Sequence, residues 1–142
     1  MIVLDTNVIS EIMRPVPDEG VKTWLAAQDP LDLATTSITI AEIQRGILRL
    51  PNGRRRKDRE GRFAAFIGDS FAQRLLPFDR ASAYACGEVS ARRERKGLHS
   101  DAVDMMIAGI VTTAQAMLAT RNTTDFDACG LALINPWQQR SR

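Results

Sequence analysis

The chain has 142 residues, a formal net charge of +2, two cysteines and one histidine, and 44% of its residues are hydrophobic. A chain of this length can bury about 68–70% of its unfolded surface, so one domain over residues 1–142 is expected, with no need of disulfide or metal staples. The mild charge excludes bulk attraction as an argument for a nucleic-acid partner, which has to rest on local clustering.

The chain begins with a short apolar run, Ile2 to Leu4, followed by Asp5, Thr6 and Asn7. Three apolar residues suit a strand that is buried on both faces in a parallel sheet. Asp5 is then expected at the carboxyl end of a central strand, the edge where open α/β sheets bind ligands. Acids and hydroxyls also cap helices, and a helix is expected from Val8 to Met13. For this stretch alone, capping and chemistry are equally expected.

The rest of the chain alternates between helical and extended patterns. Helices are predicted over residues 18–28, 38–50 (with Ser37 as the cap), 63–71, 79–96 and 101–115, and strands over 31–35, 75–78, 116–120 and 131–134. This alternation predicts an α/β fold in three layers, α/β/α, around a central, mostly parallel sheet of about five strands.

Four carboxylates stand out by their position, namely Asp5, Glu42, Asp104 and Asp125. Each has an ordinary structural alternative. Glu42 could pair with Arg45 or Arg49, Asp104 suits the first turn of a helix, and Asp125 could cap a turn. Taken singly, each alternative is at least as good as a functional role.

Taken together, the acids raise an electrostatic question. Two carboxylates at ~4 Å repel by roughly 4 kcal/mol at an effective dielectric of 20. A domain with about 5–15 kcal/mol of total stability cannot ignore several such pairs. Oxygen ligands without His or Cys select hard cations, so Mg²⁺ or Mn²⁺ is the expected partner if the sheet brings the acids together. The single His99 is interpreted as a surface residue.

Four segments resemble, in order and spacing, the PIN-domain ribonuclease toxins of VapC type, and the FitB-like branch in particular. They are Ile2-Val3-Leu4-Asp5-Thr6-Asn7, Ser37-Ile38-Thr39-Ile40-Ala41-Glu42-Ile43, Asp104-Met105-Met106-Ile107-Ala108 and Thr120-Arg121-Asn122-Thr123-Thr124-Asp125-Phe126, and the closing Asn135-Pro136-Trp137 is similar as well. The resemblance implies a PIN-like fold, a ribonuclease that depends on Mg²⁺ or Mn²⁺, and membership of a type II toxin–antitoxin system.

By position in these motifs, Asp5, Glu42 and Asp104 match the family's acidic triad, with Asp5 and Asp104 as metal ligands and Glu42 as a further ligand or as the residue that positions the water. The fourth acidic position is open between Asn122 and Asp125, and Asp125 is taken as its catalytic candidate.

Three further residues are assigned supporting roles. Thr6 is expected to orient Asp5 or a metal-bound water, and Asn7 to support the turn. Asp101 either shapes a second metal site or caps the helix, and the cap is favoured.

The implied chemistry is phosphodiester hydrolysis by one or two metal ions. Dehalogenase-like phosphatases need a second Asp two residues after the first, where this chain has Asn7. Receiver domains need adjacent acids near the start and a Lys after a late strand, and neither is found in this chain. A housekeeping nuclease, or a PIN-like scaffold that binds RNA or protein without cutting, stays open as an alternative.

A basic run precedes the predicted helix at 63–71 and comprises Arg54, Arg55, Arg56, Lys57, Arg59 and Arg62. Such runs are usually solvated surface, and this is favoured by about two to one. The functional alternative is a rim that follows the phosphates of single-stranded RNA.

The resemblance also implies a homodimer and a cognate antitoxin of VapB or FitA type, which would contact promoter DNA in place of this chain. An acidic pocket suits an inserted Arg from such a partner. The early helices around Ile9, Ile12, Met13 and Trp24 are predicted to provide its apolar contact surface.

No apolar run approaches the length of a membrane span, and no segment resembles a signal peptide, so a cytoplasmic protein without membrane contact is expected. Cys86 and Cys129 lack metal-ligand spacing and are interpreted as small buried thiols of a reducing compartment.

Overall fold

The computed structural model describes residues 1–71 and 74–139. Within these ranges five strands form one parallel sheet, and six α-helices cover it. The strands are β1 (Ile2–Leu4), β2 (Leu33–Thr36), β3 (Leu75–Leu76), β4 (Met117–Ala119) and β5 (Leu133–Ile134), in the spatial order β3-β2-β1-β4-β5. The helices are α1 (Thr6–Ile12), α2 (Glu19–Ala26), α3 (Ser37–Leu48), α4 (Arg54–Phe71), α5 (Arg80–Arg95) and α6 (Ala102–Ala114). Short 3₁₀ turns lie at Pro30–Asp32, Thr123–Phe126 and Pro136–Gln138.

Strand β1 lies at the centre of the sheet. Its residue Ile2 is in register with Leu33 of β2 on one side, and Val3 is in register with Leu118 of β4 on the other. The chain winds outward from β1 through β2 to β3 and then crosses back to β4, so the strand order reverses at β1. Ligands of open α/β sheets bind at such a reversal, beyond the carboxyl ends of the strands.

Successive residues of β1 face opposite layers. Val3 packs with the apolar side chains of α5 and α6, whereas Leu4 packs with those of α1 to α4. Both residues are fully buried, as expected of a strand covered on both faces. The predicted three-layer α/β/α fold with a parallel sheet is therefore confirmed, while its description as a single domain over residues 1–142 stays a prediction.

Helices α5 and α6 pack at very short range. A Cβ atom on Gly109 of α6 would overlap the carbonyl oxygen of Ser82 and lie 2.8 Å from the backbone nitrogen of Cys86, both on α5. Only a glycine allows this approach, and the approach fixes how the start of α6, which carries Asp104, sits on the sheet.

Several predicted boundaries were wrong. The segment predicted as a strand from Leu31 begins as a 3₁₀ turn, because Asp29 accepts a hydrogen bond from Leu31 N, and β2 starts only at Leu33. The cap of α3 is Thr36 rather than Ser37, since the Thr36 hydroxyl accepts from Thr39 N at 3.0 Å. The basic run forms the first turns of α4 itself instead of preceding a helix.

Other boundaries were right. Asp18, Asp79 and Asp101 cap α2, α5 and α6 as predicted. The proposed contact surface on the early helices needs correction, because Ile9 and Trp24 are only 0% and 8% exposed and belong to the core. None of the helices in the described ranges is both long and apolar enough to cross a membrane.

Candidate active site

Asp5 lies at the carboxyl end of β1 and is 5% exposed. One of its carboxylate oxygens accepts a hydrogen bond from Thr6 N, and the other accepts one from the Thr120 hydroxyl, both at 2.8 Å. The first bond is the helix cap that the sequence allowed. The second comes from the end of β4, so Asp5 does more than cap its own helix.

Thr120 is fully buried and connects three segments. Its hydroxyl oxygen accepts hydrogen bonds from the side-chain amide of Asn7 (3.3 Å) and from Asn122 N (3.1 Å), while its hydrogen goes to Asp5. The carbonyl oxygen of the Asn7 side chain in turn accepts from Arg121 N at 3.3 Å. Asn7 therefore bridges the carboxyl ends of β1 and β4 and keeps Asp5 in one orientation.

Glu42 is half-buried on α3, and its Oε1 accepts a hydrogen bond of 2.5 Å from the Thr6 hydroxyl. Thr6 Oγ1 lies 3.2 Å from Thr39 Oγ1, which lies 3.3 Å from Thr36 Oγ1. A hydroxyl has one hydrogen to donate, so the Thr6 hydrogen goes to Glu42 and Thr39 supplies the hydrogen to Thr6. The Thr6 hydroxyl was expected at Asp5 or a metal-bound water, but in this structure it orients Glu42.

Asp104 is half-buried in the first turn of α6, where Asp101 accepts a hydrogen bond of 3.0 Å from its backbone N–H. Asp101 is exposed and caps the helix, as favoured from the sequence. Burial, followed by the charge of Asp5 and then by the other nearby carboxylates, raises the pKa of Asp104 from 3.8 to about 7.

Burial also raises the pKa of Asp5, although the hydrogen bonds from Thr120 and Thr6 oppose the change. The charges of Glu42 and Asp125 add to the increase. The structure therefore brings the four acids close enough to act on one another, as the sequence predicted if they met at one edge of the sheet.

An open cleft of about 620 Å³ lies at this edge, and we call it the acidic cleft. It is lined by Asp5, Thr6, Asn7, Ser10, Glu11, Arg14, Glu42, Arg59, Asp104, Arg121, Asn122 and Trp137. A smaller adjoining pocket shares Glu42 and Asp104 and adds Arg93, His99, Asp101 and Asp125. Asn122 and Asp125 are both exposed and line different cavities, Asn122 the acidic cleft and Asp125 the adjoining pocket.

The donor set suits a hard cation. In the described part of the chain, no three or more Asp, Glu, His or Cys side chains converge into a ready-made metal cage. Mg²⁺ does not require one, because it usually keeps several waters and takes one or two carboxylates. Asp5 and Asp104 offer such a pair, and burial, together with the nearby carboxylates, raises the pKa of both. A cation beside them would favour their charged forms.

Two of the six basic residues predicted as an RNA rim reach these cavities. Arg59 and Glu42 both line the acidic cleft. Arg59 and Arg62 both line an adjoining groove between α1, α3 and α4. Arg56 is paired with Glu60 at 3.3 Å. The remaining three, Arg54, Arg55 and Lys57, are exposed and are not among the lining residues.

Sequence reasoning missed three cationic residues of the site. Arg93 of α5 is 4% exposed and donates hydrogen bonds to the backbone oxygens of His99 and Asp127 and to the hydroxyl of Ser100 at 3.0 Å. Its position four residues after the buried Val89 was a usable signal of burial. Arg14, paired with the buried Glu11 at 2.9 Å, and Arg121 left no comparable pattern.

Residues 2–130 match the PIN domain family. The chain belongs to this family. Curated relatives of this PIN domain include the VapC ribonuclease Y4jK of Sinorhizobium fredii, 38% identical over 97% of this chain and 99% of the relative. Toxin FitB of Neisseria gonorrhoeae is 37% identical over 96% and 99%. Among solved structures, FitAcB from Neisseria gonorrhoeae matches with a TM-score of 0.92 and 37% identity, over 98% of this chain and all of that chain.

Proposed function

We propose that this PIN-domain protein is the toxin of a type II toxin–antitoxin module and a ribonuclease that hydrolyses RNA phosphodiester bonds with Mg²⁺ or Mn²⁺. The observation that carries the proposal is the meeting of Asp5, Glu42 and Asp104 in one cleft at the strand reversal. Full-length relatives named as a VapC ribonuclease and as toxin FitB support it.

Asp5 and Asp104 are the residues that would hold the cation. When bound, it supplies positive charge that offsets the carboxylates and the incoming phosphate, and it activates water. Thr120 and Thr6 favour the charged form of Asp5, because both donate hydrogen bonds to its carboxylate. Glu42, oriented by the Thr6 hydroxyl, positions the attacking water.

The fourth acidic function is assigned to Asp125, with Asn122 in support. Asp125 and Asp104 line the same adjoining pocket, and the carboxylate of Asp125 adds to the negative charge that raises the pKa of Asp104. Asn122 lines the cleft itself and is held through its backbone N–H by Thr120.

The proposed partner is an antitoxin of VapB or FitA type that inserts an Arg into the acidic cleft and excludes phosphate. The structure of FitAB bound to a DNA fragment contains a chain that is 36% identical to this one, which supports a complex with an antitoxin that binds DNA. Homodimer formation and a cytoplasmic location belong to the same proposal.

The direct test of the enzyme is cleavage of defined RNAs by the purified protein. We expect cleavage with Mg²⁺ or Mn²⁺, none after chelation, and none by Asp5→Asn or Glu42→Gln, both of which should remain folded. Mg²⁺ should also raise the melting temperature of the wild type more than that of Asp5→Asn, because the ion binds the native state. Cleavage that survives in both variants would leave a non-catalytic PIN scaffold as the better description.

The toxin role has its own test. Expression of the wild type alone should arrest growth, expression of Asp5→Asn should not, and co-expression of the neighbouring small open reading frame should restore growth and give a co-purifying complex. Harmless expression of an active, soluble wild type would favour a housekeeping nuclease.

A further inference from the structure

Arg121 occupies a fixed position on the wall of the acidic cleft. It directly follows Thr120, which holds Asp5, and both of its peptide groups are bonded. Its N–H donates to the Asn7 side chain at 3.3 Å, and its carbonyl oxygen accepts from the Asn135 side chain at 3.4 Å. The start of the Arg121 side chain is therefore tied to the same bonds that orient Asp5.

The guanidinium of Arg121 makes no ion pair with any residue in 1–71 or 74–139, although the cleft is rich in carboxylates. It lies instead over the indole ring of Trp137, with its central carbon 5.1 Å from the ring centroid. This is the geometry of a cation–π contact. The side chain is exposed, so its charge stays accessible to a ligand in the cleft.

Trp137 is also fixed in position by a hydrogen bond and by packing. Its N–H donates a hydrogen bond of 3.0 Å to the Asn135 side chain at the start of the last 3₁₀ turn. Its side chain packs against the core cluster that contains Leu4 and Trp24. The half-buried ring still lines the cleft together with Asp5 and Asp104. The half-buried indole of Trp137 and the guanidinium of Arg121, which has no ion pair among the described residues, thus both line the cleft next to the acids.

This combination matches what unpaired nucleotides require. Proteins bind single-stranded nucleic acid through aromatic rings that stack on bases and through Arg side chains that contact phosphates or stack in turn. Here the acids repel an RNA backbone, so a cation beside them is needed to hold a phosphate near the reacting bond. Paired bases cannot offer a face to the ring, because they are stacked within their helix.

We propose that Arg121 and Trp137 form a nucleotide subsite in which Trp137 stacks on the unpaired base next to the scissile bond and Arg121 contacts its phosphate. The subsite rests on the proposed ribonuclease function and restricts the substrate to single-stranded RNA at that position. In the free protein the two side chains cover each other, and the entering base takes the place of part of this contact.

The fluorescence of Trp137 tests the subsite without any cleavage. The sequence contains two tryptophans, and Trp24→Phe removes the core one, so that Trp137 is the only reporter. In this background, with Asp5→Asn to prevent cleavage, a short single-stranded RNA should quench the emission. The same RNA with abasic residues should bind more weakly and leave the emission unchanged. No quenching by the intact RNA, or equal quenching by the abasic RNA, would overturn the proposal.

Affinity measurements provide the second arm. Arg121→Gln and Trp137→Phe should weaken binding of the same RNA by about tenfold and about threefold, whereas the charge control Lys22→Gln on α2 should leave it unchanged. With Asp5 intact, the two subsite variants should raise KM and leave kcat nearly unchanged. Unchanged affinity in Arg121→Gln would overturn the subsite and leave the contact between Arg121 and Trp137 with a structural role only. Wild-type cleavage with unaltered Trp137 emission overturns the subsite alone, whereas quenching without any cleavage by the wild type overturns the ribonuclease function.

Discussion

The Thr120 hydroxyl donates a hydrogen bond of 2.8 Å to the carboxylate of Asp5, although 115 positions separate the two residues in the sequence. This bond joins the ends of β1 and β4 at the point where the strand order reverses. It also counteracts the burial that raises the pKa of Asp5. The residue that orients the central acid of the site is thus a buried threonine that directly follows a neighbouring strand.

Replacing Thr120 with Val should therefore affect both stability and activity. The variant keeps the shape of the side chain but loses the donor to Asp5 and the acceptor for Asn7 and Asn122, at a cost of about 1–3 kcal/mol in the free energy of unfolding. Without the donor, the pKa of Asp5 should rise further, and Mg²⁺ should bind more weakly. Denaturant unfolding and Mg²⁺ titration measure the two effects. Thr120→Ser retains the hydroxyl and should keep most of the stability and most of the Mg²⁺ affinity. Equal losses in Thr120→Val and Thr120→Ser would contradict this role of the hydroxyl.

The raised pKa of Asp104 predicts a pH dependence of the metal-free protein. Its folded-state pKa of about 7 exceeds the ordinary value of 3.8, so the stability contributed by the protonated form is complete below 3.8 and is lost as the pH rises through about 7. Asp104→Asn should remove this loss. At pH 8 its free energy of unfolding should exceed that of the metal-free wild type by about 1–2 kcal/mol, a value that is reduced to account for solvent screening of the half-buried group. Thermal unfolding between pH 4 and pH 8 measures it. The control Asp69→Asn, at an exposed position, should show the same change of stability with pH as the wild type. The same change of stability with pH in Asp104→Asn would contradict this account.

Only part of the basic run should matter for RNA binding. Arg59 lines the acidic cleft, whereas Lys57, two residues earlier and on the opposite side of α4, does not. Arg59→Glu should weaken RNA binding and reduce the slope of log affinity against log salt by roughly 0.7. Lys57→Glu, with the same charge change, should have little effect. Equal effects of the two variants would indicate general attraction of RNA by a basic face.

Arg93 should be important for stability through its hydrogen bonds. It ties the loop before α6 to the segment after the Thr123–Phe126 turn. Asp104 lies in the first turn of α6, directly after this loop, and Asp125 lies within the Thr123–Phe126 turn. Arg93→Met should lower the free energy of unfolding by about 2–4 kcal/mol, because backbone oxygens lose their donors in a buried site. Arg93→Lys should recover only part of this, since an ammonium group cannot reach three acceptors in a fork. Denaturant unfolding of both variants decides it, and a loss below about 0.5 kcal/mol in Arg93→Met would be inconsistent with the observed bonds.

The features that could be predicted from sequence were local ones. Asp5 was identifiable because a three-residue apolar run ends at it, and Asp101 because a cap lies next to a periodic helix. The alternation of elements was sufficient to predict the parallel sheet. These signals depend on neighbouring residues alone, so they did not require knowledge of how the chain folds back.

The features that were missed depend on contacts between distant segments. Nothing near Thr120 indicates that its hydroxyl reaches Asp5, and the contact of Arg121 with Trp137 depends on the packing of the last turn against α2. Which residues of the basic run reach the cleft also depends on tertiary packing, and their binding of RNA stays a prediction. The composition of the run does not indicate which residues of α4 reach the cleft, and of the six only Arg59 and Arg62 line the acidic cleft or the adjoining groove.

The most direct measurement of the central claim is the rate of cleavage of a single-stranded RNA with Mg²⁺ by the wild type, Asp104→Asn and the control Asp69→Asn. The account predicts equal rates for the wild type and Asp69→Asn, and a rate at least about 100-fold lower for Asp104→Asn, because the cation loses one of its two carboxylates. Cleavage by Asp104→Asn at the wild-type rate would contradict the assignment of the acidic cleft as the active site.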